Sequence, residues 1–281
     1  MKRRRFLKLA GGSTLVAGAA LFGYTWRIEP HWIEVVRRKL PIAGLPDSLL
    51  GRTLVQISDL HVGPIVDEDY IIGAVEQVSS LDADLLVLSG DLITYRGPRQ
   101  IDQTVRVLGR LQPGRLATLA VLGNHDYGHG WSQAGVADEL AGRLEALGMT
   151  ILRNRLQDVQ GLQVLGMDDL WAGRFEAETV LGQLDRQRAA IAVCHNPDAV
   201  DRPEWSGYRG WILSGHTHGG QCKPPWLAPP RLPVRNKRYS AGEIDLYDGR
   251  RLYINRGLGY VRRVRFNARP EITVFTLTRP A

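Results

Sequence analysis

The 281-residue chain predicts an α/β fold, and three features of its pattern carry that prediction. Short apolar runs ending in polar or glycine residues recur at 53–58, 85–89, 117–122, 163–167, 190–194 and 211–214. Each has the length of a buried strand. Between several of them lie amphipathic stretches of helical period, at 70–80, 101–111, 133–147 and 176–188. Strand and helix therefore alternate, as they do when helices cover a sheet. Upstream, residues 32–40 alternate apolar and charged side chains imperfectly and read as an edge strand rather than an interfacial helix. In the last third, 243–246, 251–255 and 272–277 read as short strands around an Asp248-Gly249 turn, a meander that completes a second sheet.

Composition fits one globular unit. Hydrophobic residues make up 44% and charged residues 23% of the chain, enough to bury a sizeable core. No proline- or serine-rich linker, like-charge run or repeat divides it after residue 26, so residues 27–281 are expected to form one catalytic domain behind an N-terminal segment, 1–26.

That segment reads as an address. Arg3, Arg4, Arg5, Phe6, Leu7 and Lys8 precede an uncharged stretch, 9–24, rich in glycine and alanine, and Ala17-Gly18-Ala19 offers a small-x-small cleavage site. The pattern Arg-Arg-x-Phe-Leu-Lys resembles a twin-arginine export signal, although the usual preceding serine or threonine is absent. It implies the twin-arginine export machinery as a partner and a destination in the periplasm or on the outer face of the inner membrane. A membrane anchor with basic flanks is the alternative reading, with the domain on the cytoplasmic face. Sixteen residues interrupted by glycine fall short of the roughly 20 that a spanning helix needs.

Charge follows the same division. The formal net charge is +7, but residues 1–22 hold five basic residues and no acidic one, which leaves +2 for the rest. The high pI is mostly the leader, so a nucleic-acid partner is not expected. Of the two cysteines, Cys194 sits in an apolar run and reads as core. Neither it nor Cys222 belongs to a CxxC motif, and their pairing is left open.

The informative residues stand where the apolar runs stop: Ser58-Asp59-Leu60-His61, Ser89-Gly90-Asp91, Leu122-Gly123-Asn124-His125-Asp126, Cys194-His195 and Ser214-Gly215-His216-Thr217-His218. Carboxyl ends of strands in an open α/β sheet border the crevice where ligands bind, so five such segments can converge on one pocket. If the backbone stays extended there, Asp59 and His61 project to one side, as do His216 and His218. Five of the seven histidines lie in these segments, with His31 and His129 outside. Imidazole, carboxylate and one amide oxygen without thiolate form a donor set suited to Mn, Fe or Zn. For the Asp168-Asp169 pair, shaping a turn near Trp171 is the simpler reading, and the pair is not counted in the site.

In order, these blocks match the pattern DxH, GD, GNH(D/E), H and GHxH, and the sequence resembles the calcineurin-like metallophosphoesterase superfamily over about residues 50–260. The resemblance implies a sandwich of two mixed β-sheets flanked by helices. It implies two divalent metal ions, with manganese first and iron or zinc as alternatives. Asp59, His61 and His218 would bind one ion, Asn124, His195 and His216 the other, and Asp91 both. A carboxylate suits that shared position because its two oxygens can face two cations. Two ions about 3.5–4 Å apart would clamp a phosphate and supply a nucleophile near neutral pH. His125 would be the general acid, with Asp126 orienting its imidazole or, in the simpler reading, capping a helix.

Gly215 to Gln221, reading GHTHGGQ, and Arg256-Gly257-Leu258-Gly259 are similar to bacterial YaeI- and YkuE-type phosphodiesterases. That group includes a lipid A pathway enzyme that cleaves the pyrophosphate of UDP-2,3-diacylglucosamine. Residues 223–240 hold Lys223, Arg231, Arg235, Lys237 and Arg238 with Trp226, several prolines and no acid. Such a loop suits a second phosphate or a lipid headgroup, with peripheral membrane contact, and equally a solvated proline-stiffened loop. The expected substrate is a phosphodiester or pyrophosphate of an envelope lipid or precursor. Nucleotide or phosphoprotein hydrolysis is the alternative that the same ions would serve, and the complete ligand set with His125 argues against a silent binding module.

Overall fold

The computed structural model describes residues 3–205 and 207–280. Side chains are described from residue 13 onward, so those of the Arg3-Arg4-Arg5 motif lie outside it. Helix α1 (Arg3–Gly23) leads through an irregular turn into the body. Among the described residues no helix is long and apolar enough to cross a membrane.

Among the described residues, twelve strands build two six-stranded sheets. In chain order they are β1 (Glu34–Pro41), β2 (Thr53–Ile57), β3 (Leu85–Ser89), β4 (Ala117–Val121), β5 (Thr150–Ile151), β6 (Arg155–Val159), β7 (Leu162–Gly166), β8 (Ala190–Val193), β9 (Gly210–Ser214), β10 (Gly242–Asp245), β11 (Arg250–Ile254) and β12 (Glu271–Thr278). One sheet runs β1-β12-β2-β3-β4-β5 and the other β10-β11-β9-β8-β7-β6. Both are mixed: β2, β3, β4 and β5 are parallel, as are β7, β8, β9 and β11, with antiparallel pairs at β12–β2, β6–β7 and β10–β11.

Period-two alternation explains why these strands are apolar throughout. Leu85 and Val87 point between the sheets with Val121, Val164, Ile191, Val193, Leu213 and Phe275. Leu86 and Leu88 point outward beneath α2 (Glu68–Ser79), α3 (Pro98–Leu108) and α4 (Ala134–Glu145). On the far face of the second sheet, Ala192, Cys194, Ile212 and Ile254 pack under α5 (Ala177–Leu181) and Trp205. A strand covered on both faces leaves little room for a polar side chain except at its end, Gln56 inside β2 being held by Ser89 Oγ and Ser214 O, and that places the site.

Three expectations are corrected. The helix expected over 176–188 stops at Leu181, where Gly182 ends it; beyond, the Gln163 amide exchanges hydrogen bonds with the backbone of Asp185 and holds the chain irregular. The C-terminal meander is split. Strands β10 and β11 form the expected hairpin in the second sheet, but β12 inserts in the first, parallel to β1 and antiparallel to β2. Its Ile272 and Val274 face the helices while Phe275 and Leu277 face the opposite sheet, and only an interior position buries both faces. The backbone after β2 and β9 is also not extended: Asp59, His61, His216 and His218 have φ of 51°, 49°, 72° and 52°. Edge strand β1 is found as expected.

Candidate metal centre

The strands carrying the polar blocks end at one edge of the sandwich. Asp59 and His61 follow β2, Asp91 follows β3 and Asn124 follows β4, all in the first sheet; His195 follows β8, and His216 and His218 follow β9, in the second. The first two loops stay paired beyond their strands, since Asp59 N donates to Gly90 O, His61 N to Asp91 O and Val62 N to Leu92 O. Left-handed backbone at Asp59, His61 and Asp91, tolerated best by Asp, Asn and His among residues with a Cβ, lets buried Leu60 enter the core while both ligand side chains reach the site.

All seven candidate ligands are buried. Asp59, His61 and His218 form one group and Asp91, His195 and His216 another, each with donor atoms within 4.8 Å of one another. Asp59 Oδ1 lies 3.2 Å from His218 Nε2, and the His61 and His218 Nε2 atoms are 3.0 Å apart. Asp91 Oδ2 lies 3.1 Å from His195 Nε2 and 3.6 Å from His61 Nε2, between the two groups. Ligand atoms around an ion at bonds of about 2.1 Å stand about 3–3.5 Å apart. Asn124 supplies the sharpest test of fit: both atoms of its side-chain amide are buried and have no hydrogen-bond partner among the described residues. A wholly orphaned buried amide costs on the order of 1–3 kcal/mol unless something else takes the oxygen, as a cation would.

Surrounding groups fix the imidazoles. His195 Nδ1 lies 2.8 Å from Ser89 O, and His216 Nε2 lies 2.9 Å from Pro233 O, so each donates there and turns its other nitrogen toward the site. His61 Nδ1 meets Thr94 Oγ1 at 3.0 Å. Burial, with His195 beside it, pulls His216 down to about 3 and burial holds His61 well below the ordinary imidazole value. His195 goes the other way: burial disfavours its charge, but the Asp91 carboxylate outweighs that and raises it. Asp91 Oδ1 accepts from His125 N at 2.8 Å, and Oδ2 is the oxygen that lies between the two groups.

His125 is half-buried beside His61, ring centroids 4.9 Å apart, with its imidazole at the cavity. Asp126 is not seated to orient it. Its oxygens accept from Ile93 N at 3.0 Å and Gly123 N at 2.8 Å, the capping arrangement, and it joins the loops after β3 and β4. Asp169 closes the turn around Trp171 through Ala172 N, as the turn-shaping reading expects, whereas Asp168 accepts from Tyr127 and Arg153 and ties that turn to other segments. Cys194 and Cys222 are unpaired, with Cys194 in the core.

Residues 52–220 match the Calcineurin-like phosphoesterase family, more than half of the chain. The chain belongs to this family. It is therefore a metal-dependent phosphoric ester hydrolase. The phosphoesterase is 34% identical to the uncharacterized metallophosphoesterase YkuE of Bacillus subtilis, covering 99% of this chain and 98% of that one. It is 31% identical to phosphodiesterase YaeI of Escherichia coli, covering 99% of each. Its identity to the UDP-2,3-diacylglucosamine pyrophosphatase LpxG of Chlamydia trachomatis is 26%, covering 92% of this chain and 94% of that one. A dimetal phosphatase structure from Danio rerio shares the fold at a TM-score of 0.52 and 12% identity, over 81% of this chain and 99% of that one.

Above the candidate ligands the phosphoesterase has a cavity of about 850 Å³. Asp91, Asn124, His125, His216 and His218 form its floor. Its walls are Trp131 and Trp171, stacked with centroids 5.1 Å apart, and opposite them Arg231, Leu232, Lys237, Val261, Arg262 and Val264. Sequence reading missed most of this wall, because Trp131 and Trp171 lie outside every motif. It also missed Arg265, wholly buried behind His218, whose guanidinium donates to the carbonyls of Arg256, Gly257, Gly259 and Ala268. An Arg-rich stretch, 262–269, was its signal, and that signal is shared with solvated loops.

Proposed function

We propose that the phosphoesterase hydrolyses a phosphodiester or pyrophosphate of an envelope lipid or lipid precursor, of the kind represented by UDP-2,3-diacylglucosamine. Two divalent ions, manganese first, would be held by Asp59, His61 and His218 and by Asn124, His195 and His216, with Asp91 Oδ2 shared. The observation that carries this reading is the cavity: a buried donor floor under walls that mix aromatic and aliphatic side chains with Arg231, Lys237 and Arg262. About 850 Å³ exceeds what a lone phosphate monoester fills, and the walls suit a diester with an apolar substituent or a second phosphate. The relatives named for phosphodiester and diacylglucosamine pyrophosphate cleavage support the same class.

When bound, the ions supply charge neutralisation at phosphorus and a nucleophile at neutral pH. The chain's own groups do the rest. Asp59 and Asp91 supply fixed anions that hold the cations, and the ring contacts to Ser89 O and Pro233 O keep the imidazoles turned inward. His125 sits at the cavity side of Asn124 and gives a proton to the leaving oxygen. Arg231, Lys237 and Arg262 hold the part of the substrate beyond the scissile bond.

The leader motif supports export by the twin-arginine route, with the working face outside the cytoplasm. Fusion of residues 1–30 to a reporter active only outside the cytoplasm, against an Arg3-Arg4 to Lys-Lys control, tests this. A reporter that stays inside would favour the cytoplasmic face. The activity is tested by assaying manganese-loaded protein on bis-p-nitrophenyl phosphate and UDP-2,3-diacylglucosamine. Turnover of the first with preference for the second is expected. Inactivity on both, with ions confirmed bound, would overturn the reading.

A further inference from the structure

Several of the large apolar side chains left in solvent stand on three segments joined by direct contacts. Phe22, Trp26 and Ile28 lie where α1 enters the body, Val261 stands in the loop before β12, and Trp226 and Leu227 tip the proline-rich loop after the GHTHGGQ motif. Trp226 is completely exposed and Leu227 is 64% exposed. The segments are joined by specific contacts. The Arg263 guanidinium lies over the Trp26 ring at 5.6 Å, and Arg265 N donates to Thr25 O at 3.0 Å. Gln221 Nε2 donates to Arg262 O and Val264 O, its Oε1 accepts from Val261 N, and Lys223 N donates to Phe266 O.

Two of these loops reach the mouth of the catalytic cavity, since Pro230, Arg231, Leu232, Val261, Arg262 and Val264 line it. Its charge is mostly of one sign. No Asp or Glu occurs in 223–240 or in 256–269, and of the ten Lys and Arg in those stretches Arg265 is buried and Arg256 is paired with Glu34 and Glu271, which leaves eight. Glu29, the acidic residue nearest the Trp26 segment in sequence, is buried and turned inward to Ala268 N. Tryptophan tips and aliphatic tips set among arginines match the headgroup layer of an anionic bilayer, where indoles sit at the interface and each nearby cation adds about 1 kcal/mol of attraction. Single side chains projecting from a proline-stiffened loop suit insertion into lipid better than the grooved contact of a protein partner.

We propose that these loops seat the phosphoesterase on an anionic phospholipid bilayer with the cavity mouth turned toward the lipid. This rests on the reading of the substrate as lipid-linked. A phosphoester anchored by acyl chains then reaches the floor from the membrane side, its headgroup passing Arg231 and Arg262, without leaving the bilayer.

The test mixes full-length, manganese-loaded protein with sedimenting vesicles of phosphatidylcholine, with and without phosphatidylglycerol. Wild-type protein should bind the anionic vesicles at least about tenfold more tightly. Trp226→Ser with Leu227→Ser and Arg263→Glu should lose that preference by a similar factor while hydrolysing soluble bis-p-nitrophenyl phosphate at the wild-type rate. Equal binding to both vesicles, or a triple variant that binds as wild type does, overturns the proposal. Should Arg263→Glu impair folding, seen as lost soluble turnover, the Trp226→Ser, Leu227→Ser double variant decides by the same binding measurement. Anionic binding as expected without hydrolysis of any lipid-linked phosphoester would support the seating and overturn the substrate reading instead.

Discussion

Asp91 Oδ1 is held by the His125 amide, which leaves Oδ2 placed between the two ligand groups. Asp91→Asn keeps the size but replaces the shared anion with a neutral group. Near-complete loss of turnover is expected, with fewer than two ions retained by elemental analysis; full activity would remove Asp91 from the site. For His125→Ala both ions should stay, and kcat should fall by roughly 10²–10⁴-fold. The fall should be larger for an alkyl leaving group than for p-nitrophenolate, which needs little protonation. Equal losses on the two substrates would deny His125 the acid role. His195 sets a pH dependence. Asp91 raises it above its ordinary value of about 6.5. Its proton therefore stabilises the metal-free protein below that pH, and the benefit fades as pH rises through the raised value. Ion loading must displace the proton. Calorimetry in buffers of different ionisation enthalpy should show proton release near neutral pH and weaker binding as pH falls; titrations free of proton release would contradict this assignment.

Strand ends were legible because residues such as Leu85 to Leu88 are apolar on both faces and the next polar residue must lie at the edge. Local backbone was less so. Left-handed conformation at five of the ligands, Asp59, His61, Asp91, His216 and His218, costs about 1–3 kcal/mol each and is stabilised by packing that no local pattern encodes. Two glycines make room for it. Gly90 has φ +95° and a Cβ there would lie 2.6 Å from His195 Nδ1; Gly257 has φ +69° and its Cβ would lie 2.6 Å from that of Asp59. Gly90→Ala should destabilise the protein by more than about 1 kcal/mol and reduce ion content, read by thermal unfolding and elemental analysis. Unchanged values for both would show that His195 can move. Helix α5 was over-extended because Gly182 ends it inside an otherwise periodic stretch, and the place of β12 was hidden because strand sequence reports burial but not pairing partner. The segment after α1 is tied to the site-supporting loop, with Glu29 Oε1 accepting from Ala268 N at 2.8 Å. Glu29→Ala leaves that buried amide unpaired and should cost about 1–3 kcal/mol by denaturant unfolding. No change would show that the contact contributes nothing.

At the scale of the molecule, two sheets with separate outer helices share an inner core and present their strand ends along one edge. Asp59, His61, Asp91 and Asn124 come from the first sheet, and His195, His216 and His218 from the second, so each ligand group draws on both. Chain order disclosed the members of this assembly because each stands in a short recognisable block. The cavity above it was far less readable: Trp131, Trp171, Val261 and Arg262 come from unrelated loops and become neighbours only after folding. The central claim is that both ligand groups fill with cations at once. Anomalous diffraction from crystals of manganese-loaded protein tests it most directly. Two peaks per chain are expected, one among Asp59, His61 and His218 and one among Asn124, His195 and His216, on either side of Asp91. A single peak, or peaks away from these side chains, would contradict it.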